Sequence, residues 1–196
     1  MIAGSSTSVA TFLELLKQTA MRSGEAVRLQ WKDTDLERRL ITLNEPEKGS
    51  LPRQWNNLSQ KLIDMLNAMP RNDTRVFGSY TLNSLKAMFS RARKRVAVKL
   101  QNPRLLDIHF HTLRHWKATM EYHKTKDLLH VMAFLGHKKS DNTLLYVQLD
   151  QKLFNDAQDE FTVKTAKTPE EASKLIEVGF QLADTIDGIH LYRKRK

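Results

Sequence analysis

The chain has 196 residues, no cysteine and a formal net charge of +10, from 32 basic against 22 acidic residues. Without cysteine there are no disulfides, thiolate metal sites or cysteine nucleophile, and the apolar runs are too short to cross a bilayer. The first ten residues lack the basic start and apolar run of a secretory signal, so the expectation is a cytoplasmic protein with no membrane contact, whose charge favours nucleic acid as partner.

The length suits one domain, or one with a small appendage. A first helix is expected after the Ser/Thr cluster at residues 5–8, burying Val9, Phe12, Leu13, Leu16 and Ala20. Ser23-Gly24-Glu25 is read as its interruption, followed by a helical stretch to about Trp31 and a turn at Asp33-Thr34-Asp35. Arg39 to Leu43 alternates like a strand, and Glu45 to Ser50 reads as a hairpin loop between short strands. Leu58 to Met69 is an amphipathic helix stopped by Pro70.

From Ser84 to Arg104 the chain carries Lys86, Arg91, Arg93, Lys94, Arg95, Lys99 and Arg104 with no acid. Leu85, Met88, Phe89, Ala92, Val96 and Leu100 recur within it at helical spacing. A solvated helix usually interleaves acids for i,i+4 pairing. This pattern predicts one face on a core and a basic face turned toward phosphates. Helices follow near 111–123, 127–135 and 141–149. Gly136 stands where the second of these should be capped, placing His137 just past a helix end. Ser140 or Asp141 is expected to cap the third, which carries Tyr146.

The last forty residues differ in character. Phe161 to Lys164 reads as a strand, and Thr168-Pro169-Glu170-Glu171 as a helix start. Ala172, Leu175, Ile176, Phe180 and Ala183 give that helix one apolar face. Asp187-Gly188 turns into a strand over Ile189 to Tyr192, before the basic end Arg193-Lys194-Arg195-Lys196.

Three chemistries are weighed. A zinc site built on His111 and His115, with His109 nearby, has ligand-like spacing but lacks the glutamate base of a metalloprotease and sets Arg114 beside the ligands. A nucleotide-driven enzyme is disfavoured because the seven glycines form no phosphate-cradling motif. Cationic phosphoryl transfer fits better. A tyrosine attacks phosphorus directly. Arginines hold the non-bridging oxygens and neutralise the charge that builds there, and histidine or lysine moves protons. A covalent ester conserves the bond energy, so rejoining needs neither ATP nor a metal cofactor.

The order Arg … Lys … His-x-x-Arg … His … Tyr resembles the catalytic domain of the tyrosine recombinase (phage integrase) family, most closely integrases of archaeal mobile elements, whose basic-ended tail it also resembles. The resemblance covers roughly residues 8–150. Thr19-Ala20-Met21-Arg22-Ser23-Gly24-Glu25 matches a Thr-Gly-Leu-Arg-x-x-Glu box and makes Arg22 catalytic, with Ala20 in place of the usual glycine. It assigns Lys48 as the hairpin lysine, with Lys32 and Arg53 near the same hairpin. It further assigns His111 and Arg114 to the His-x-x-Arg box, His137 to the Leu-Gly-His box, and Tyr146 as nucleophile nine residues beyond His137. His115-Trp116-Lys117 departs from the commoner small residues.

The resulting expectation is a mainly α fold with a small antiparallel β-sheet: a catalytic domain over 1–155 and a β-α-β tail over 156–196, without the amino-terminal core-binding domain typical of the family. The resemblance implies a site-specific recombinase that cleaves and rejoins double-stranded DNA through a 3′-phosphotyrosyl intermediate, as a homo-tetramer on DNA and a monomer or weak oligomer without it. A mobile link is expected to leave Tyr146 free to swing. The alternatives are a non-catalytic DNA-binding regulator that keeps the fold and an enzyme that nicks or relaxes DNA without strand exchange.

Overall fold

The computed structural model describes residues 2–154, 161–186 and 189–195. Helix α1 (Thr7–Thr19) follows Ser6 and buries Val9, Phe12, Leu13 and Leu16. It ends at Ala20, whose left-handed backbone (φ 52°) lets its N–H bond Leu16 O. The break therefore falls at Ala20–Arg22, ahead of the expected interruption. Ser23-Gly24-Glu25 forms the first turn of a short helix, α2 (Ser23–Val27), which stops well before Trp31.

Three short strands come next: β1 (Thr34–Asp35), β2 (Leu40–Leu43) and β3 (Arg53–Trp55). They form an antiparallel sheet in the order β1-β2-β3, pairing Thr34 with Ile41 and Ile41 with Trp55. The expected turn at Asp33–Asp35 is thus partly strand, because Thr34 and Asp35 find partners on β2. The β2–β3 connection is a loop, as its Pro and Gly imply. At its tip Lys48 (φ 53°) and Gly49 (φ 62°) are both left-handed.

Helices α3 (Gln60–Asn67) and α4 (Leu82–Lys99) are each capped by a side chain, Ser59 accepting from Leu62 N and Thr81 from Ser84 N. α4 sets Leu85, Phe89, Ala92 and Ala97 inside, whereas Leu100 is 61% exposed and leaves the expected apolar face because it closes the helix. Phe12 meets Phe77 and Phe110 edge-on, and Phe89 stacks on Phe110 at 5.2 Å. These rings join α1, α4 and the start of α5 (Phe110–Thr125) in one core. α6 (Leu128–Leu135) and α7 (Asp141–Phe154) complete the body, with a second cluster of Ala20, Ala118, Val131, Leu135 and Tyr146. The Ser140 carbonyl receives Thr143 N and Leu144 N at the start of α7.

The chain divides into two compact units, residues 1–150 and 151–196. In the second, β4 (Phe161–Ala166), α8 (Pro169–Glu177), β5 (Gln181–Ile186) and β6 (Ile189–Arg195) give an antiparallel sheet in the order β4-β6-β5. Ala166, Phe180 and Tyr192 form its core. The expected helix through Phe180 and Ala183 is shorter than its apolar period suggests. Gly179 (φ 87°) ends it, with Gly179 N on Ile176 O and Phe180 N on Leu175 O, and Ala183 lies on the additional strand β5. The expected turn at Asp187-Gly188 lies outside the described residues.

Candidate active site

Backbone turns set the site before any side chain enters it. Left-handed Ala20 leaves its carbonyl as an acceptor for Arg114 Nη1 on α5. α6 ends in left-handed Gly136 (φ 69°), with His137 N on Met132 O. A β-carbon at Gly136 would press into the Arg53 guanidinium and lie 2.8 Å from Leu51 O, so glycine is required by conformation and by this close approach. The same contact seats the hairpin on α6, since Leu51 N donates to Gly136 O at 3.1 Å.

Arg114 is 3% exposed and places Nη2 3.1 Å from both Leu135 O and His137 Nε2. Burial and the charge of Arg22 lower its pKa to about 10, so it stays cationic at neutral pH. Because a guanidinium only donates, His137 Nε2 accepts; the imidazole is then the Nδ1–H tautomer and donates to Thr143 Oγ1 at 3.0 Å. Burial, then Arg114, pulls the His137 pKa down to about 4. It is neutral.

Tyr146 is 3% exposed, held among Ala20, Ala118, Val131 and Leu135. Its hydroxyl lies within reach of the Arg114 charge. Burial raises its pKa, against the opposing pull of Arg114 and Arg22. Tyr146 thus sits inside the pocket. His115 packs 5.8 Å from its ring and meets His111 edge-on at 4.4 Å. Burial lowers the pKa of both histidines, with His115 and Arg114 adding to the effect at His111. His111 itself is exposed at the mouth.

Arg22 arrives from the other side, at the start of α2. Its Nη1 donates to Ser50 Oγ at 2.6 Å and to Glu25 Oε1 at 3.1 Å. Glu25 is 1% exposed. Its carboxylate also accepts from Arg22 N at 2.8 Å, Arg53 Nη2 at 2.5 Å and Glu47 N at 3.1 Å. Lys48 is exposed at the hairpin tip, near enough to act on the charge state of His111.

The structure thus brings Arg22, Arg114, His137 and Tyr146 together, with His111 and Lys48 at the rim. Sequence reasoning missed Glu25 as the organiser, along with Arg53, Ser50, Thr143 and the Tyr146 contact of His115. Glu25 carried a signal, three residues beyond Arg22. Thr143 carried one too, three residues before Tyr146 on the same helical face. Of the α4 cations, Lys86, Arg91, Lys94 and Lys99 are exposed. Arg93, half-buried, and Arg95, also exposed, are partly committed to their own chain, through Ile108 O at 2.5 Å and Gly4 O at 2.6 Å. Among the described residues, no group of three or more His, Asp or Glu side chains is placed to hold a metal ion, and no helix is long and apolar enough to cross a membrane.

A mostly helical body with small antiparallel sheets, and an arginine–histidine–tyrosine pocket at its helix ends, defines the class. The chain belongs to the Phage integrase family, whose model matches residues 3–152. It is 29% identical over 140 residues to the shufflon-specific DNA recombinase of Escherichia coli, covering 69% of this chain and 33% of that protein. Against the ICEBs1 integrase of Bacillus subtilis (strain 168) it is 24% identical over 160 residues, 68% of this chain and 43% of that protein. It thus spans less than half the length of either. The crystal structure of XerA recombinase superposes with a TM-score of 0.61 at 19% identity, over 81% of this chain and 61% of the other, which shows a shared fold.

Proposed function

We propose that this chain is a site-specific recombinase of double-stranded DNA, acting inside the cell. One observation carries the reading: a buried tyrosine whose hydroxyl feels the charge of a cationic arginine that no carboxylate contacts directly among the described residues. Family membership and the relatedness to a DNA recombinase and an integrase support it.

In this mechanism Tyr146 Oη attacks the scissile phosphorus, and the P–O5′ bond breaks. A 3′-phosphotyrosyl ester forms, leaving a free 5′ hydroxyl. Arg22 and Arg114 hold the non-bridging oxygens, whose charge grows in the transition state. His111 at the mouth supplies an acceptor for the phenolic proton or a hydrogen bond to phosphate, while His137, with both ring nitrogens engaged by Arg114 and Thr143, helps by holding the Arg114 guanidinium in place. Lys48 protonates the departing 5′ oxygen. Resealing reverses these steps with a 5′ hydroxyl from another strand. The reaction consumes no ATP. The catalytic region is assigned to residues 1–155 and an accessory tail to 156–196. Assembly as a tetramer on DNA accords with the family resemblance and with Leu129, Leu144 and Leu145 standing 71%, 43% and 42% exposed on α6 and α7. Affinity with integrases of archaeal mobile elements rests on the resemblance of the catalytic motifs and, with them, of the tail.

The test is a nicked suicide duplex, from which the wild-type protein should form a covalent adduct on a denaturing gel. Tyr146→Phe should form none. Lys48→Ala should cleave slowly and recover with a 5′-thiol leaving group, which needs no acid. An undiminished adduct from Tyr146→Phe would overturn the assignment.

A further inference from the structure

A cavity of 430 Å³ opens beside His111, between α4 and the first turn of α5, and the strand-cleavage mechanism leaves it unused. Lys86, Ser90 and Arg93 line one wall from α4, at positions i, i+4 and i+7 of one helical face. His109 and His111 line the other, and Phe89 and Phe110, stacked at 5.2 Å, supply apolar surface. Among the described residues, no carboxylate lines it.

Two features make the cavity more than a gap in the packing. Arg93 keeps one Nη1 contact to Ile108 O at 2.5 Å and approaches His109 Nδ1 at 3.1 Å, yet its buried Nε has no hydrogen-bond partner among the described residues. A buried charged donor without an acceptor is costly unless an anion or water reaches it. Lys86 is exposed at the rim, on a stretch from Ser84 to Arg104 that contains no acid. The apolar surface suits a sugar ring, while the cationic wall suits the phosphate attached to it.

We propose that this cavity holds a second, unreacting backbone phosphate of the same DNA substrate, next to the scissile one, with Lys86 and Ser90 as its contacts and Arg93 as the fixed charge behind them. His111 forms a wall of the cavity and belongs to the catalytic set, so the two phosphates lie on either side of one imidazole. Exposed Lys94, one turn beyond Ser90, continues the basic surface along α4, which favours a continuous polyanion over a free phosphate ion. The site fixes which phosphodiester sits under Tyr146, and Lys86 is therefore a positioning residue. The proposal rests on the reading of Arg22, Arg114 and Tyr146 as the cleavage site.

The probe is a duplex enriched from a random-sequence pool by the protein itself. Single methylphosphonate substitutions, which remove one phosphate charge at a time, are scanned across it. At one position beside the cleavage point the substitution should weaken wild-type binding about tenfold. At that position it should weaken Lys86→Ala or Ser90→Ala clearly less, because one partner of the phosphate is already gone. The salt dependence of Lys86→Ala binding should fall by about one released counterion. The point of covalent attachment should also blur in Lys86→Ala, a change that a structural role would not produce. Additive losses at every position would overturn the pocket while leaving cleavage intact. Binding is measured in Tyr146→Phe protein, so a wild type that forms no adduct would overturn the cleavage reading while the charge cycle still reports on the cavity.

Discussion

The two arginines of the candidate site are held in opposite ways. Arg22, on the α2 and hairpin side, shares the buried carboxylate of Glu25 with Arg53. Arg114, on the α5–α7 side, is fixed by the carbonyls of Ala20 and Leu135 and by a neutral imidazole. The first half is an ion-pair network in which one buried carboxylate meets two guanidiniums. The second keeps its full positive charge inside the protein, oriented by dipoles alone. The difference teaches where an incoming phosphate is most needed: at Arg114, beside Tyr146, whose buried hydroxyl gains most from that cation.

The sharpest way to break this comparison is to remove the carboxylate. Glu25→Gln leaves the Arg53 guanidinium buried, with Gly136 packed against it. Destabilisation of about 3–5 kcal/mol is expected by chemical denaturation. The same change in an Arg53→Met background should lose much less. Equal losses in both backgrounds would mean that Glu25 does not organise this half. Next in size is Arg114→Lys, which keeps a charge but cannot reach Ala20 O, Leu135 O and His137 together. Adduct formation should fall about 100- to 1,000-fold, with DNA affinity reduced far less. A loss confined to affinity would place Arg114 in binding rather than in chemistry.

What the sequence revealed follows the physics of each element. Helices α1, α3, α4 and α5 were legible because their buried residues recur at the helical period, and Gly136 because a left-handed cap leaves a glycine behind. The His-x-x-Arg spacing was legible for a local reason: residues three apart share a helix face. Arg53 was not, since strand alternation predicts an inward position but not that a cation fills it against a carboxylate 28 residues away. The tail misled for the converse reason. Its apolar period runs through Ala183, and Gly179 was the signal that the helix had ended. The exposed cations of α4 were readable as a basic surface. That Arg93 turns back to Ile108 depends on how α4 meets the chain entering α5, which no local pattern encodes.

The smallest effect concerns the neutral histidine that the arginine-only half requires. His137 has its pKa lowered from 6.5 to about 4, chiefly by burial and then by Arg114. Its unfolded form takes up a proton as pH drops below 6.5, while the folded form resists until about 4. The neutral imidazole therefore supports the folded state fully above 6.5, and that support declines as pH falls toward 4. The decline should amount to on the order of 2–3 kcal/mol. His111 and His115 are shifted in the same direction, so the contribution of His137 is read by difference. Denaturation of wild type and His137→Gln across this range should give curves that converge as pH falls. Thr143→Val, which removes the acceptor for Nδ1–H, should reduce the gap by about 1 kcal/mol. Parallel curves would show that His137 keeps its ordinary pKa in the fold, and a gap that widens as pH falls would show it charged beside Arg114, which would then need a carboxylate partner as Arg22 does.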